Sequence, residues 1–292
     1  MHFNFPLILV IAVAGTGLLA LLDRLLLAPG RRRAQERYQR EVDVADPQTI
    51  ERLGKEPLLI EYSKSFFPVL AVVLVLRSFL VEPFQIPSGS MKPTLEVGDF
   101  ILVNKFSYGI RLPVLDTKVI PIGGPQRGDV MVFRYPNDPR VNYIKRVVGL
   151  PGDHVAYADK QLFVNGEPVS RELLRVEPDD EVPAGHPLQA IAEADVFQEQ
   201  LGETTHLIRH KRLSQAPPAR EWVVPEGHYF MVGDNRDNSN DSRYWSASDM
   251  PRELWGMVPD NYIVGKAFAV WMHWPEPKLR NLPSFSSVAL IN

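Results

Sequence analysis

Three short segments of the chain hold residue types that can do chemistry. The first is Pro83-Phe84-Gln85-Ile86-Pro87-Ser88-Gly89-Ser90-Met91-Lys92-Pro93-Thr94-Leu95. Its prolines and glycine dictate an extended, sharply turned backbone, where a serine can stand at a site edge with its backbone N–H free. An ordinary loop serine is the commoner meaning of such a residue. The second is Tyr143-Ile144-Lys145-Arg146-Val147-Val148-Gly149-Leu150-Pro151-Gly152-Asp153. Strand alternation puts Tyr143, Lys145 and Val147 on one face and Ile144, Arg146 and Val148 on the other. A lysine on a buried face loses solvation, so its neutral form is favoured and its pKa falls. A general base needs a neutral amine. A fall of about two units corresponds to roughly 2.7 kcal/mol, which a folded domain can carry. The plainer alternative is a surface lysine on an edge strand. The third segment, Gly233-Asp234-Asn235-Arg236-Asp237-Asn238-Ser239-Asn240-Asp241-Ser242-Arg243-Tyr244-Trp245, follows the apolar run Tyr229 to Val232. It reads either as a solvated loop or as a hydrogen-bonded shell around catalytic groups. A Ca²⁺ loop fits poorly, because the glycine and glutamate of an EF-hand are not in place.

Other chemistries have little support. Cys is absent, which excludes disulfides, thiolate metal sites and a Cys nucleophile. His154, His186, His206, His210, His228 and His273 are scattered outside any Gly-x-Ser-x-Gly or His-Glu-x-x-His context, and most read as surface or strand-end residues. Pro93 stands where a Ser-x-x-Lys acyl-enzyme would carry its lysine after Ser90, and Lys-Thr-Gly is absent. A net charge of -3 and a pI near 6.2 give no reason to expect a nucleic-acid partner.

Two kinds of element must position these residues. The apolar stretch from about Phe5 to Leu27 is long enough to cross a hydrocarbon core of roughly 30 Å, and a second, from about Phe66 to Val81, is near the lower length limit and carries Arg77. A buried core helix is the alternative for the second. The first is not read as a cleaved secretory signal: it lacks a basic n-region, exceeds an h-region in length, and is followed by Arg31-Arg32-Arg33. Between the spans lie Arg31, Arg32, Arg33, Arg37, Arg40, Arg52, Lys55 and Lys64, so the positive-inside rule keeps this loop cytoplasmic. The expected organisation is a short external N-terminus and first transmembrane helix over 1–27, a cytoplasmic loop over 28–64, a second transmembrane helix over 65–82 and an external catalytic domain over 83–292. This domain reads as β: Phe100 to Phe106, Asp129 to Tyr135, Tyr143 to Leu150, a hairpin over His154 to Val169 turning at Asn165-Gly166, Tyr229 to Val232 and Ile263 to Trp271. The 26 prolines argue against a helical bundle. The polar stretch 171–219 reads as an insertion or smaller subdomain whose internal structure the pattern does not reveal.

Taken together, the three segments resemble the sequence boxes of bacterial type I signal peptidases, of the types Ser-x-Ser-Met-x-Pro-Thr, Tyr-Ile-Lys-Arg and Gly-Asn-Arg-Asp-x-Ser-x-Asp-Ser-Arg, with Gly233-Asp234-Asn235 opening the last. The resemblance covers the anchor and both halves of the external domain and is weak over 171–219. It implies a mainly β catalytic domain of the signal-peptidase kind on a two-helix anchor in the bacterial inner membrane, with the catalytic domain on the periplasmic face. The implied activity is a serine endopeptidase that removes signal peptides from exported preproteins after small residues of the A-x-A type, without cofactor or metal. Its partners would be preprotein signal peptides and the phospholipid bilayer. Residue by residue, the family implies Ser90 as nucleophile and Lys145 as general base. The Ser90 N–H and Ser88 hydroxyl would form the oxyanion hole. Ser239 would orient the Lys145 amine, and the pairs Asp241 with Arg243 and Asp234 with Arg146 would brace the shell. Phe84, Gln85, Ile86, Pro87, Tyr143 and Ile144 would bind substrate. The connection Ser246 to Leu254 is longer than is usual in such relatives.

Two rival readings remain at this stage. One is a non-catalytic tethered β-domain that docks through Trp271, Trp274 and Phe84. The other is a self-cleaving repressor with Ser/Lys chemistry, which the membrane anchor and the lack of a DNA-binding motif disfavour.

Overall fold

The computed structural model describes residues 5–42, 44–112, 117–183, 185–246, 251–276 and 281–291. The chain divides into a helical unit up to Leu80 and a β unit from Val81 onward.

In the helical unit, α1 (Phe5–Leu22) continues through a π-helical turn at Asp23–Leu27 into α2 (Ala28–Glu41). α3 (Pro47–Gly54) starts at Asp46, whose carboxylate accepts from the Gln48 and Thr49 N–H groups, a helix N-cap. α4 (Leu58–Val75) leads into a second π-helical turn at Leu76–Leu80. Leu18, Leu25, Leu26, Val69 and Val72 are exposed, a distribution that water penalises and lipid does not. Among the described residues, two helices are long and apolar enough to cross a membrane, Leu7–Glu41 and Leu58–Leu80. α1 and α4 pack together, and a Cβ at Gly17 would fall 2.7 Å from the Phe67 ring. A residue without a side chain allows that approach. The segment 28–64, expected as a loop, is largely helical. Its Ala, Arg, Gln and Glu residues favour helix intrinsically, without the apolar stripe that would have announced it.

In the β unit the first strands are β1 (Val81–Gln85), β2 (Asp99–Asn104), β3 (Ile110–Arg111) and β4 (Lys118–Ile120). Then come β5 (Val130–Tyr135), β6 (Asp138–Gly149), β7 (His154–Ala158), β8 (Gln161–Val164) and β9 (Glu167–Pro168). β10 (Arg171–Pro178), β11 (Glu193–Leu201), β12 (Thr204–Lys211) and β13 (Arg220–Val223) follow. The last are β14 (His228–Val232), β15 (Met257–Pro259), β16 (Ile263–His273) and β17 (Ala289–Leu290). The main sheet has the order β1-β2-β16-β5-β6-β14-β15, with β17 also on β16. All its pairings are antiparallel.

This sheet is covered on both faces, which explains its nearly continuous apolar central strands. Along β5, Val130 and Val132 join one core cluster with Ile86, Met91, Leu95 and Ile101, while Met131 and Phe133 join another with Val147, Met231 and Trp245. The period of two therefore divides one strand between two cores. β6 begins earlier than expected: Tyr135 pairs with Asp138 across Pro136 and Asn137. Pro139, Arg140, Val141 and Asn142 are all exposed, so no alternation marks this half of the strand.

The stretch unread from sequence forms a separate antiparallel sheet, β10-β11-β12. A four-stranded sheet, β13-β7-β8-β9, contains the expected turn at Asn165-Gly166 and a second at Asp159-Lys160. All four turn residues have positive φ, at 54°, 84°, 49° and 59° respectively, as two-residue hairpins require. A lysine at such a position gives no warning of it. The expected long connection Ser246 to Leu254 lies partly outside the described residues, since 247–250 are not among them.

Candidate active site

Ser90 sits in a 3₁₀ turn, Gly89–Met91, just past β1. The turn is anchored on both sides, because Ile86, Met91 and Leu95 are buried in one cluster. Lys145 reaches it from β6. Its Nζ lies 2.7 Å from Ser90 Oγ and 2.9 Å from the Ile144 carbonyl oxygen. Only 4% of Lys145 and 8% of Ser90 are exposed. Loss of hydration pulls the Lys145 pKa down to about 8, with help from the Arg243 charge and against the pull of Asp241 and Asp234. The Tyr143 ring, two residues away on the same face, has its centroid 5.4 Å from Nζ. Ser88 Oγ lies 3.4 Å from Ser90 Oγ.

The polar run after β14 folds back onto this pair. The Gly233 N–H donates to Asp241 Oδ2 at 3.0 Å, and Arg243 grips the same carboxylate with Nε and Nη2, both at 2.8 Å. Arg146 grips Asp234 in the same bidentate way, at 2.9 and 2.7 Å, while Thr94 donates its hydroxyl to Asp234 Oδ2 at 2.5 Å. Asp234, Asp241, Arg146 and Arg243 are all buried. Burial alone would raise both carboxyls; the facing guanidiniums outweigh it and hold them below the ordinary range. Arg146 therefore turns away from Lys145 on the opposite face of β6, and each cation meets its own partner.

Gly233 is the point of closest approach. A Cβ there would fall 2.5 Å from the Ser90 carbonyl oxygen and nearer still to the Ser239 hydroxyl. Any side chain would push the turn away from Ser90.

Some expected residues take other places. The hydrogen bonds of the Lys145 amine go to Ser90 and Ile144, and Ser239 is not among its partners. The Ser239 hydroxyl is buried against Gly233, where it helps to lower the Asp241 carboxyl pKa. A groove of about 710 Å³ opens over the pair, lined by Pro87, Ser88, Ser90, Tyr143, Ile144 and Tyr244 among others. Phe84, Gln85 and Ile86 do not line it. Ile86 is a core residue with Phe84 packed against the same cluster, and the Gln85 amide donates to the Trp274 carbonyl. The period of two along the strand sends Phe84 and Ile86 to the core together. His206 and His210 are buried rather than at the surface, beside Glu199 and Asp237 respectively.

Asn235 and Thr94 make contacts at the site that the residue patterns did not disclose. The Asn235 N–H donates to the Ser90 carbonyl at 3.1 Å and its side-chain amide to the Gly89 carbonyl at 2.9 Å. The third segment thus holds both peptide units around Ser90.

A serine and a buried lysine of lowered pKa thus lie within hydrogen-bond reach of each other beside an open groove. Comparison with known proteins gives the family. The family model described as "Signal peptidase, peptidase S26" matches residues 59–274. The chain is 64% identical to signal peptidase I of Pseudomonas aeruginosa and 66% identical to that of Pseudomonas fluorescens, with all of both chains covered in each case. It is 35% identical to signal peptidase I of Haemophilus influenzae, over 92% of this chain and 86% of that one. The chain belongs to the signal peptidase I family, membrane-anchored serine endopeptidases that remove signal peptides from preproteins.

Proposed function

We propose that this chain cleaves preproteins with Ser90 as nucleophile and Lys145 as general base. The observation that carries the reading is the 2.7 Å approach of Lys145 Nζ to Ser90 Oγ, with the amine buried and its pKa lowered to about 8. In the neutral state the Ser90 hydroxyl donates to the Nζ lone pair. As Oγ attacks the scissile carbonyl, that proton passes to Nζ, and the carbonyl oxygen becomes an oxyanion facing the Ser90 N–H and the Ser88 hydroxyl. Collapse of the tetrahedral species breaks the C–N bond. Lys145 returns the proton to the departing amine and leaves an acyl ester on Ser90. Water, deprotonated by the again neutral amine, attacks the ester, and the proton goes back to Ser90 Oγ. The site begins and ends in one protonation state.

The substrate in this reading is an extended chain beside β6. β5 pairs with one edge of β6, and β14 takes the other only from Arg146 onward, so no strand among the described residues occupies that edge before Lys145. Free backbone groups there suit β-strand addition. The Pro87, Tyr143 and Ile144 side chains would take up the small side chains of an A-x-A segment. We also propose that both apolar helices cross the bacterial inner membrane, with 28–64 cytoplasmic and the β unit on the periplasmic face. The cationic residues between the spans support this orientation. Reporter fusions at the C-terminus should be active only outside the cytoplasm; activity inside would sink the topology.

The test of activity is direct. Protein purified in detergent is given a preprotein with an A-x-A site, beside Ser90→Ala and Lys145→Ala. Cleavage after the second Ala by the parent alone supports the dyad. Cleavage by all three removes it.

A further inference from the structure

The loop after β10, in a stretch that carries none of the three boxes, reaches into the site. Just after β10, the Glu181 carboxylate Oε1 accepts from the Asn235 side-chain amide at 2.8 Å. The same amide group spends its other N–H on the Gly89 carbonyl at 2.9 Å. Glu181 lies directly over the turn, since a Cβ at Gly89 would fall 2.6 Å from Glu181 Oε1. Its other oxygen faces Lys211 Nζ at 2.9 Å and Arg209 Nη1 at 3.4 Å, and its side chain is 11% exposed. Next to it, Asp180 pairs with Lys92 at 2.5 Å, which ties the same loop to the residue two places past Ser90.

The consequence follows from amide geometry. An ionised carboxylate only accepts hydrogen bonds, so it forces Asn235 to present its NH₂ and not its oxygen. With that orientation set, the second N–H of the amide meets the Gly89 carbonyl. The Gly89 C=O and the Ser90 N–H belong to one planar peptide unit and point in opposite directions. Holding the carbonyl from behind therefore aims the N–H forward. We infer that Glu181 is a positioning residue for the oxyanion donor, acting through the Asn235 amide on the Gly89–Ser90 peptide. The inference rests on the reading of Ser90 as nucleophile and oxyanion donor given above.

Two variants of similar length separate this role from a general structural one. Glu181→Gln and Glu181→Met both remove the charge that faces Lys211 and Arg209. Only Gln keeps an oxygen that accepts from Asn235. In the preprotein assay, Glu181→Gln should stay within about threefold of the parent kcat. Glu181→Met should lose about tenfold or more in kcat at unchanged KM, a part of the hundred- to thousandfold cost of removing such a donor outright. The pH profile should match the parent in both, because Lys145 is untouched. Equal losses in the two variants, or unfolding of both, would make Glu181 a structural charge and overturn the inference, as would parental kcat in Glu181→Met. Ser90→Ala runs alongside. If it still cleaves, the reading of Ser90 is at fault; if it is inactive while Glu181→Met is unimpaired, only the role of Glu181 falls.

Discussion

Lys145 and Ser90, 55 residues apart in sequence, meet through a 2.7 Å hydrogen bond between side chains that are almost wholly buried. Burial both lowers the proton affinity of the amine and keeps competing water from it. Its pKa of about 8 sets the first expectation. The kcat/KM for preprotein cleavage should rise with pH along a single ionisation with a midpoint near pH 8. Activity that is flat between pH 6 and 9, at roughly constant stability, would argue against Lys145 as base.

The same shift makes Lys145 a cost to the fold. Its folded pKa of about 8 lies below the ordinary 10.5, so between these values the unfolded chain binds more protons and stability rises with pH. Below pH 8 both states are protonated and the penalty is complete. Lys145→Met should therefore be more stable than the parent at pH 7, by about 3 kcal/mol at most, and the gain should fade between pH 8 and 10.5. Urea unfolding of the two proteins across this range measures it.

Arg146 and Asp234 answer to a different rule. A buried ion pair contributes little net stability, but loss of one partner strands the other charge. Asp234→Ala should cost about 3–5 kcal/mol. Thr94→Val, which removes the hydroxyl donor to Asp234, should cost about 1–3 kcal/mol. Equilibrium unfolding of each variant is the measurement, and an Asp234→Ala loss below about 1 kcal/mol would mean that the pair is hydrated in solution.

Ser88→Ala leaves Ser90 and Lys145 in place and removes one proposed oxyanion donor. The expected loss is about 2.7–4 kcal/mol of transition-state stabilisation, seen in kcat with KM little changed. A change in KM alone would move Ser88 from the chemistry to substrate binding.

Gly233→Ala tests the contact between the third segment and the turn. The added methyl collides with the Ser90 carbonyl, a backbone group that cannot swing aside. The expected outcome is a fall of about tenfold or more in kcat, since small displacements of a catalytic group are costly. Unaltered kcat would show that the turn can shift without loss.

The site was readable where local pattern and family boxes coincide. Lys145 and Arg146 follow from alternation in an apolar strand, and Asp241 with Arg243 lies within one turn. Thr94 and Asn235 were not readable, because each acts on a residue 140 or more positions away. Glu181 meets Asn235 from 54 positions away, out of a stretch that carries none of the three boxes. The strands β11 and β12 hid for a physical reason. Glu199, His206 and His210 are buried there beside Arg236 and Asp237, and Arg209 is buried against Asp179 and Asp180, so charged residues occupy positions where alternation calls for apolar ones.

The placement of Lys145 and Arg146 on opposite faces of β6 makes the register of this strand a condition of the site. A slip of one residue against β5 and β14 would reverse its parity. The amine would then point toward Asp234 and the guanidinium toward Ser90, with composition unchanged. Residues added at the Pro136–Asn137 turn are different. They join the exposed half of the hairpin, while the buried pairing from Lys145 onward keeps each cation on its own side.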